Sequence, residues 1–154
     1  EEMIRVPGLD GAKMGKSEAD NAIDINSSIV EIRSRYAKRG ITDTARIRRE
    51  DPGDPYHGCK SVYPVHEIVT RGETDSRTIA NLCRTAEIGC GDCKKLLVDG
   101  IAAILEPFQE KRAKLADQDD YICDVLNAGA NQAKSLIMPT VEDVREKMGL
   151  VRYG

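Results

Sequence analysis

Apolar positions along the 154-residue chain fall mostly at helical spacing, after an opening that does not. Met3 to Val6 reads as a short buried strand feeding the loop Pro7-Gly8-Leu9-Asp10-Gly11, where Gly and Pro punctuate the pattern. Ser28 with Glu31 three positions on forms a capping box, Ile29 and Ile32 are apolar, and Gly40 offers a stop, so the spacing predicts a helix over 28–38. Thr42 to Cys59 has no sustained period and carries three Asp, two Pro, two Gly and the arginines 46, 48 and 49, the make-up of a long ordered or functional loop. Helical patterns follow at 64–70, 76–85, 93–115, 121–137 and 141–148. In the long one Leu97, Ile101, Ile104 and Phe108 share a face, assigned to the core, and Pro107 predicts a kink or break. Thr140 with Asp143 reads as the cap of the last helix and Gly149 as its end. The fold class is therefore mainly α: a helical bundle over 27–154, preceded by a strand and loop over 1–26.

Charge and composition narrow the function classes. Twenty-three basic residues stand against 26 acidic ones, net −3, so contact with nucleic acid must come from a local patch. One Phe, five Tyr and no Trp are poor material for a sheet of base-stacking side chains. No apolar run approaches the roughly 20 residues that span a bilayer, and no leader opens the chain, which reads as soluble and intracellular. It opens on Glu1-Glu2-Met3-Ile4, like the middle of a gene product.

Gly11-Ala12-Lys13-Met14-Gly15-Lys16-Ser17 places two lysines three residues apart in a glycine-rich loop, suited to gripping a polyphosphate with point charges and backbone amides. A Walker loop requires glycine where Asp10 stands, and leads into further strands that this sequence lacks. Lys13-Met14-Gly15-Lys16-Ser17 instead resembles, in four of five positions, the Lys-Met-Ser-Lys-Ser signature of class I aminoacyl-tRNA synthetases. The resemblance implies a loop that closes over ATP, with Lys13 and Lys16 catalytic, Met14, Gly15 and Ser17 at the phosphates, and Ile4 lining the adenine pocket. Gly15 removes the hydroxyl of the usual central serine and keeps the amide.

Five cysteines in an intracellular chain point away from disulfides. Cys90 and Cys93 form a two-residue-gap pair, Cys83 lies ahead of them, and Cys59 is more distant. Four thiolates close either a tetrahedral zinc site or a cubane iron–sulfur cluster, and spacing alone leaves both open. Cys123, among Tyr121, Ile122 and Val125, reads as a buried core residue outside the site. His57 reads as a solvated loop histidine, and His66 has a helical context with no evident partner.

Together with the lysine loop, the segment Asp51-Pro52-Gly53-Asp54-Pro55, the run Gly89-Cys90-Gly91-Asp92-Cys93-Lys94-Lys95-Leu96 with Leu105-Glu106-Pro107-Phe108, and the tail from Ala128-Gly129-Ala130 to Leu150 resemble the tryptophanyl-tRNA synthetases over nearly the whole chain. The resemblance implies the C-terminal part of such an enzyme: the end of the nucleotide-binding catalytic domain over 1–26, then the helical anticodon-side domain. It implies ATP with Mg2+, L-tryptophan and tRNA(Trp) as partners, a homodimer and a cytoplasmic protein. Cys59, Cys83, Cys90 and Cys93 fit the subset of the family that binds a [4Fe-4S] cluster, with Zn2+ as the alternative. The His-Ile-Gly-His type motif and the tryptophan pocket match nothing here, so the chain alone is expected to be inactive. The competing reading is a metal-stapled helical module that binds RNA or a partner without catalysis. An electron-transfer protein would need a second redox partner site, which the sequence does not show.

Overall fold

In a computed structural model the protein is described over residues 5–15, 20–70 and 75–150. It is about 60% helix. Five helices follow one another: α1 (Ile29–Arg39), α2 (Val62–Val69), α3 (Ser76–Arg84), α4 (Cys90–Leu115) and α5 (Asp119–Lys147). Among the described residues the sheet content is a single antiparallel bridge, Pro7 to Lys13. This agrees with the mainly helical fold class. Two compact units are present, residues 1–109 and 110–154. None of the helices is long and apolar enough to cross a membrane, among the residues described.

Local chemistry sets the helix ends. Ser28 Oγ accepts from the Glu31 amide at 3.2 Å, and the Gly40 amide closes α1 on the Tyr36 carbonyl at 3.0 Å. Glycine is needed at 40 because a Cβ there would stand 2.8 Å from that carbonyl oxygen. Asp75 caps α3 by accepting from the Thr78 amide at 2.8 Å, and that bond holds its carboxyl below the usual carboxylate range. At the far end Gly149, with φ +68°, donates to Glu146, and the Leu150 amide reaches back to the Arg145 carbonyl at 2.9 Å. This is the paired return of a left-handed glycine cap.

Three expectations are corrected. Leu97 and Ile101 are buried, but Ile104 and Phe108 are about half exposed, so only the first half of the α4 face is core. Of the kink or break expected at Pro107, a break is absent, since α4 continues through it, and the helices expected at 121–137 and 141–148 are one element running through Pro139, with Thr140 inside it. Each proline forfeits one bond to the carbonyl four residues earlier, Ala103 and Ser135, and both positions are exposed, where water can satisfy the carbonyl. Cys123 is exposed, not core, because α5 has no buried residue. So short a unit leaves even its apolar side chains at the surface.

The core lies in the first unit. Ile32 and Tyr36 of α1, Val62, Tyr63 and Val65 of α2, Ala80 of α3, and Leu97, Val98 and Ile101 of α4 form one cluster with Leu9 and Cys59. Leu9 and Cys59 tie that core to the two candidate sites.

Candidate functional site

The lysine loop is built outward from Leu9, which is 2% exposed. Its amide donates to the Asn21 carbonyl at 3.0 Å, and its carbonyl accepts from Ile41 at 2.9 Å. Around this anchor the chain turns sharply: Gly8 donates to Ala12 at 2.7 Å, Gly11 to Gly8 at 3.0 Å, and Asp10 Oδ1 accepts from the Ala12 amide at 2.7 Å. Buried Asn21 closes the turn by accepting from the Asp10 amide at 3.0 Å. Gly11 has φ +81°, and a Cβ there would meet Lys60 Cβ at 2.8 Å, so both backbone and space demand glycine. Lys13 leaves this pinned turn exposed, followed by half-buried Met14 and Gly15. Ile4, Lys16 and Ser17 lie outside the described residues, as do Met3 and Ile4 of the expected strand. Arg5 and Val6 are irregular, and Val6 is exposed, not buried.

The second site is a cavity that gathers Cys59 from the approach to α2, Cys83 from α3, and Cys90 and Cys93 from the first turn of α4. It encloses about 350 Å³ between atoms, including its mouth. Each of three sulfurs meets a fixed donor. The Tyr63 amide donates to Cys59 Sγ at 3.3 Å, Arg46 Nη1 to Cys83 Sγ at 3.9 Å, and His66 Nε2 stands 3.4 Å from Cys93 Sγ. Burial pushes the Cys59 and Cys83 thiols up and Cys93 up to about 12, with the neighbouring cysteines adding to the last. Those three thiols are therefore neutral at pH 7, and a metal must displace their protons.

His66 is fully buried and has the partners that its sequence context did not reveal. Nε2 lies 3.1 Å from the Cys93 carbonyl, which only accepts, so Nε2 carries the proton and Nδ1 accepts from the Thr70 hydroxyl at 2.7 Å. Burial lowers its pKa to about 4, which keeps the ring neutral and this tautomer in place. His57 is solvated as expected, 3.3 Å from Asp54. Among the described residues no group of three or more His, Cys, Asp or Glu side chains is arranged to hold a metal ion.

The loop over Thr42–Cys59 is ordered by two carboxylates. Buried Asp43 accepts from the Ala45 amide at 2.9 Å and the Asp54 amide at 2.8 Å. Asp54 accepts from Tyr56 and His57, and the His57 amide is the main reason its carboxyl sits below the usual range. Asp43→Ala leaves two loop amides without their partner and should cost about 2–4 kcal/mol, read as a lower denaturant midpoint. Loss of under about 0.5 kcal/mol, the small end for a single hydrogen bond, would mean that the loop is held otherwise.

Residues 3–106 match the tRNA synthetases class I (W and Y) family. The chain belongs to that family. It is 38% identical to the tryptophan–tRNA ligase of Deinococcus radiodurans over 98% of this chain and 44% of that one. It is 37% identical to the enzyme of Thermotoga maritima over 96% and 44%. The tryptophanyl-tRNA synthetase of Campylobacter jejuni, solved with ADP and tryptophan, superposes with a TM-score of 0.82 at 27% identity, over 97% of this chain and 45% of that one. The chain thus spans less than half the length of these relatives.

Proposed function

We propose that this chain is the C-terminal part of a tryptophan–tRNA ligase, which activates L-tryptophan with ATP and Mg2+ and transfers it to tRNA(Trp). The carrying observation is the exposed Lys13 leaving a turn that Leu9, Asp10 and Asn21 pin to the helical core. A lysine so mounted can meet negative charge as it develops on pyrophosphate, and preorganised charge of this kind usually lowers the barrier of such reactions more than any other single effect. By resemblance to the family signature, Lys16 shares this catalytic role, Met14, Gly15 and Ser17 serve the phosphates, and Ile4 belongs to the adenine pocket. Residues 1–26 complete the nucleotide-binding fold and residues 27–154 form the anticodon-side domain of a cytoplasmic homodimer.

Cys59, Cys83, Cys90 and Cys93 hold a [4Fe-4S] cluster in this reading. Four thiols around one cavity, three of them facing a donor, suit a group bound through sulfur. One zinc ion needs all its ligands about 2.3 Å from a single point, whereas a cubane spreads four thiolates over four irons. When bound, the cluster supplies a cross-link and no redox step, since aminoacylation moves no electrons. The residues themselves do the holding, joining the loop before α2 to α3 and the start of α4.

The test is amino-acid-dependent exchange of pyrophosphate into ATP by the complete enzyme. Exchange with tryptophan and not with tyrosine supports the proposal. Exchange with tyrosine, or with neither, contradicts it.

A further inference from the structure

Arg46 is the one cationic side chain lining the thiol cavity, among the described residues, and the chain has arranged room for it. Gly53 makes that room: a Cβ there would fall 2.6 Å from Cys83 Sγ and 3.4 Å from Arg46 Cδ, so sulfur and guanidinium lie side by side only because residue 53 has no side chain. Arg46 Nη2 donates to the Arg49 carbonyl, which fixes the plane of the guanidinium, and Nη1 reaches Cys83 Sγ at 3.9 Å. Its Nε is buried without a partner, a donor that is costly to leave unmade.

The charge around the cavity explains what such a donor is for. A cluster on four thiolates carries net negative charge into a cavity walled by apolar atoms, and Asp43 on the same wall adds a carboxylate already engaged by two backbone amides. A buried negative group of this kind needs a fixed counter-charge, and arginine, always protonated and planar, provides one without titrating. We propose that Arg46 is the positioning and counter-charge residue of the cysteine-held cluster, orienting Cys83 and offsetting the charge of the bound group. This rests on the cluster reading above and goes beyond it by assigning a residue outside the ligand set.

The experiment reconstitutes the full chain anaerobically with ferrous iron and sulfide as wild type, Arg46→Gln, Arg46→Met and Arg46→Lys. It measures the cluster's midpoint potential and its rate of loss to a chelator. Removing the charge should move the potential to more negative values in both neutral variants and speed cluster loss about tenfold, the worth of one charge-assisted hydrogen bond. Arg46→Lys, which keeps the charge and loses the fork, should restore most of the potential. Wild-type potential and lifetime in either neutral variant overturn the proposal, as does a lysine variant no better than glutamine, which would reveal a packing role only. A wild-type chain that takes up no iron or sulfide brings down the cluster reading itself, and the Arg46 role with it.

Discussion

Lys13→Ala in the complete enzyme is expected to slow formation of tryptophan adenylate by about 10²–10³-fold, the usual loss on removing one preorganised charge from a developing oxyanion. The expectation follows from how the lysine is mounted. Its turn is closed by Gly8, Gly11 and the Asp10 carboxylate and anchored through Leu9 in the core, which fixes the backbone from which the lysine projects. The loss should fall on kcat, with KM for tryptophan nearly unchanged, because the pyrophosphate charge develops in the transition state. Lys13→Arg should recover only part of the rate, since a planar fork replaces a compact ammonium. Single-turnover formation of adenylate gives the number, and a loss below about threefold would remove Lys13 from the catalytic set.

The second large effect concerns the thiols. Cys90→Ser should drop iron and sulfide from about four of each per chain to below about one, because a cubane on four cysteines loses one of its four anchors. Cys123→Ser is the control: Cys123 is exposed on α5 and should leave the content at the wild-type level. Iron lost equally from both variants would point to adventitious binding at surface thiols.

Helix identity was legible at α1, where a cap is written in the chain, but not at Thr140, whose cap pattern lies inside α5. Ser28 and Gly40 marked α1 to within a residue: the Ser28 side chain accepts from the Glu31 amide, and the Gly40 amide closes the last turn on the Tyr36 carbonyl. At Pro107 the break did not follow, since the abandoned carbonyl is exposed and water can satisfy it. Exposure of Ile104, Phe108 and Cys123 was not readable, because helical spacing says which residues share a face and not whether anything covers it. For the sites, spacing singled out the four cysteines that line one cavity, and the lysine signature singled out the loop. It missed the supporting residues. Arg46 sat inside a run of charged loop residues, and His66 meets Thr70 one turn on at the end of its own helix and Cys93 only through the fold. A hydrogen-bond donor facing a sulfur leaves no period in the sequence; only folding discloses it.

The most direct test is to purify the chain without oxygen and measure iron, acid-labile sulfide and zinc together with visible absorbance. A brown protein with about four iron and four sulfide per chain is the predicted result. One zinc with no colour, or no metal at all, would contradict the cluster.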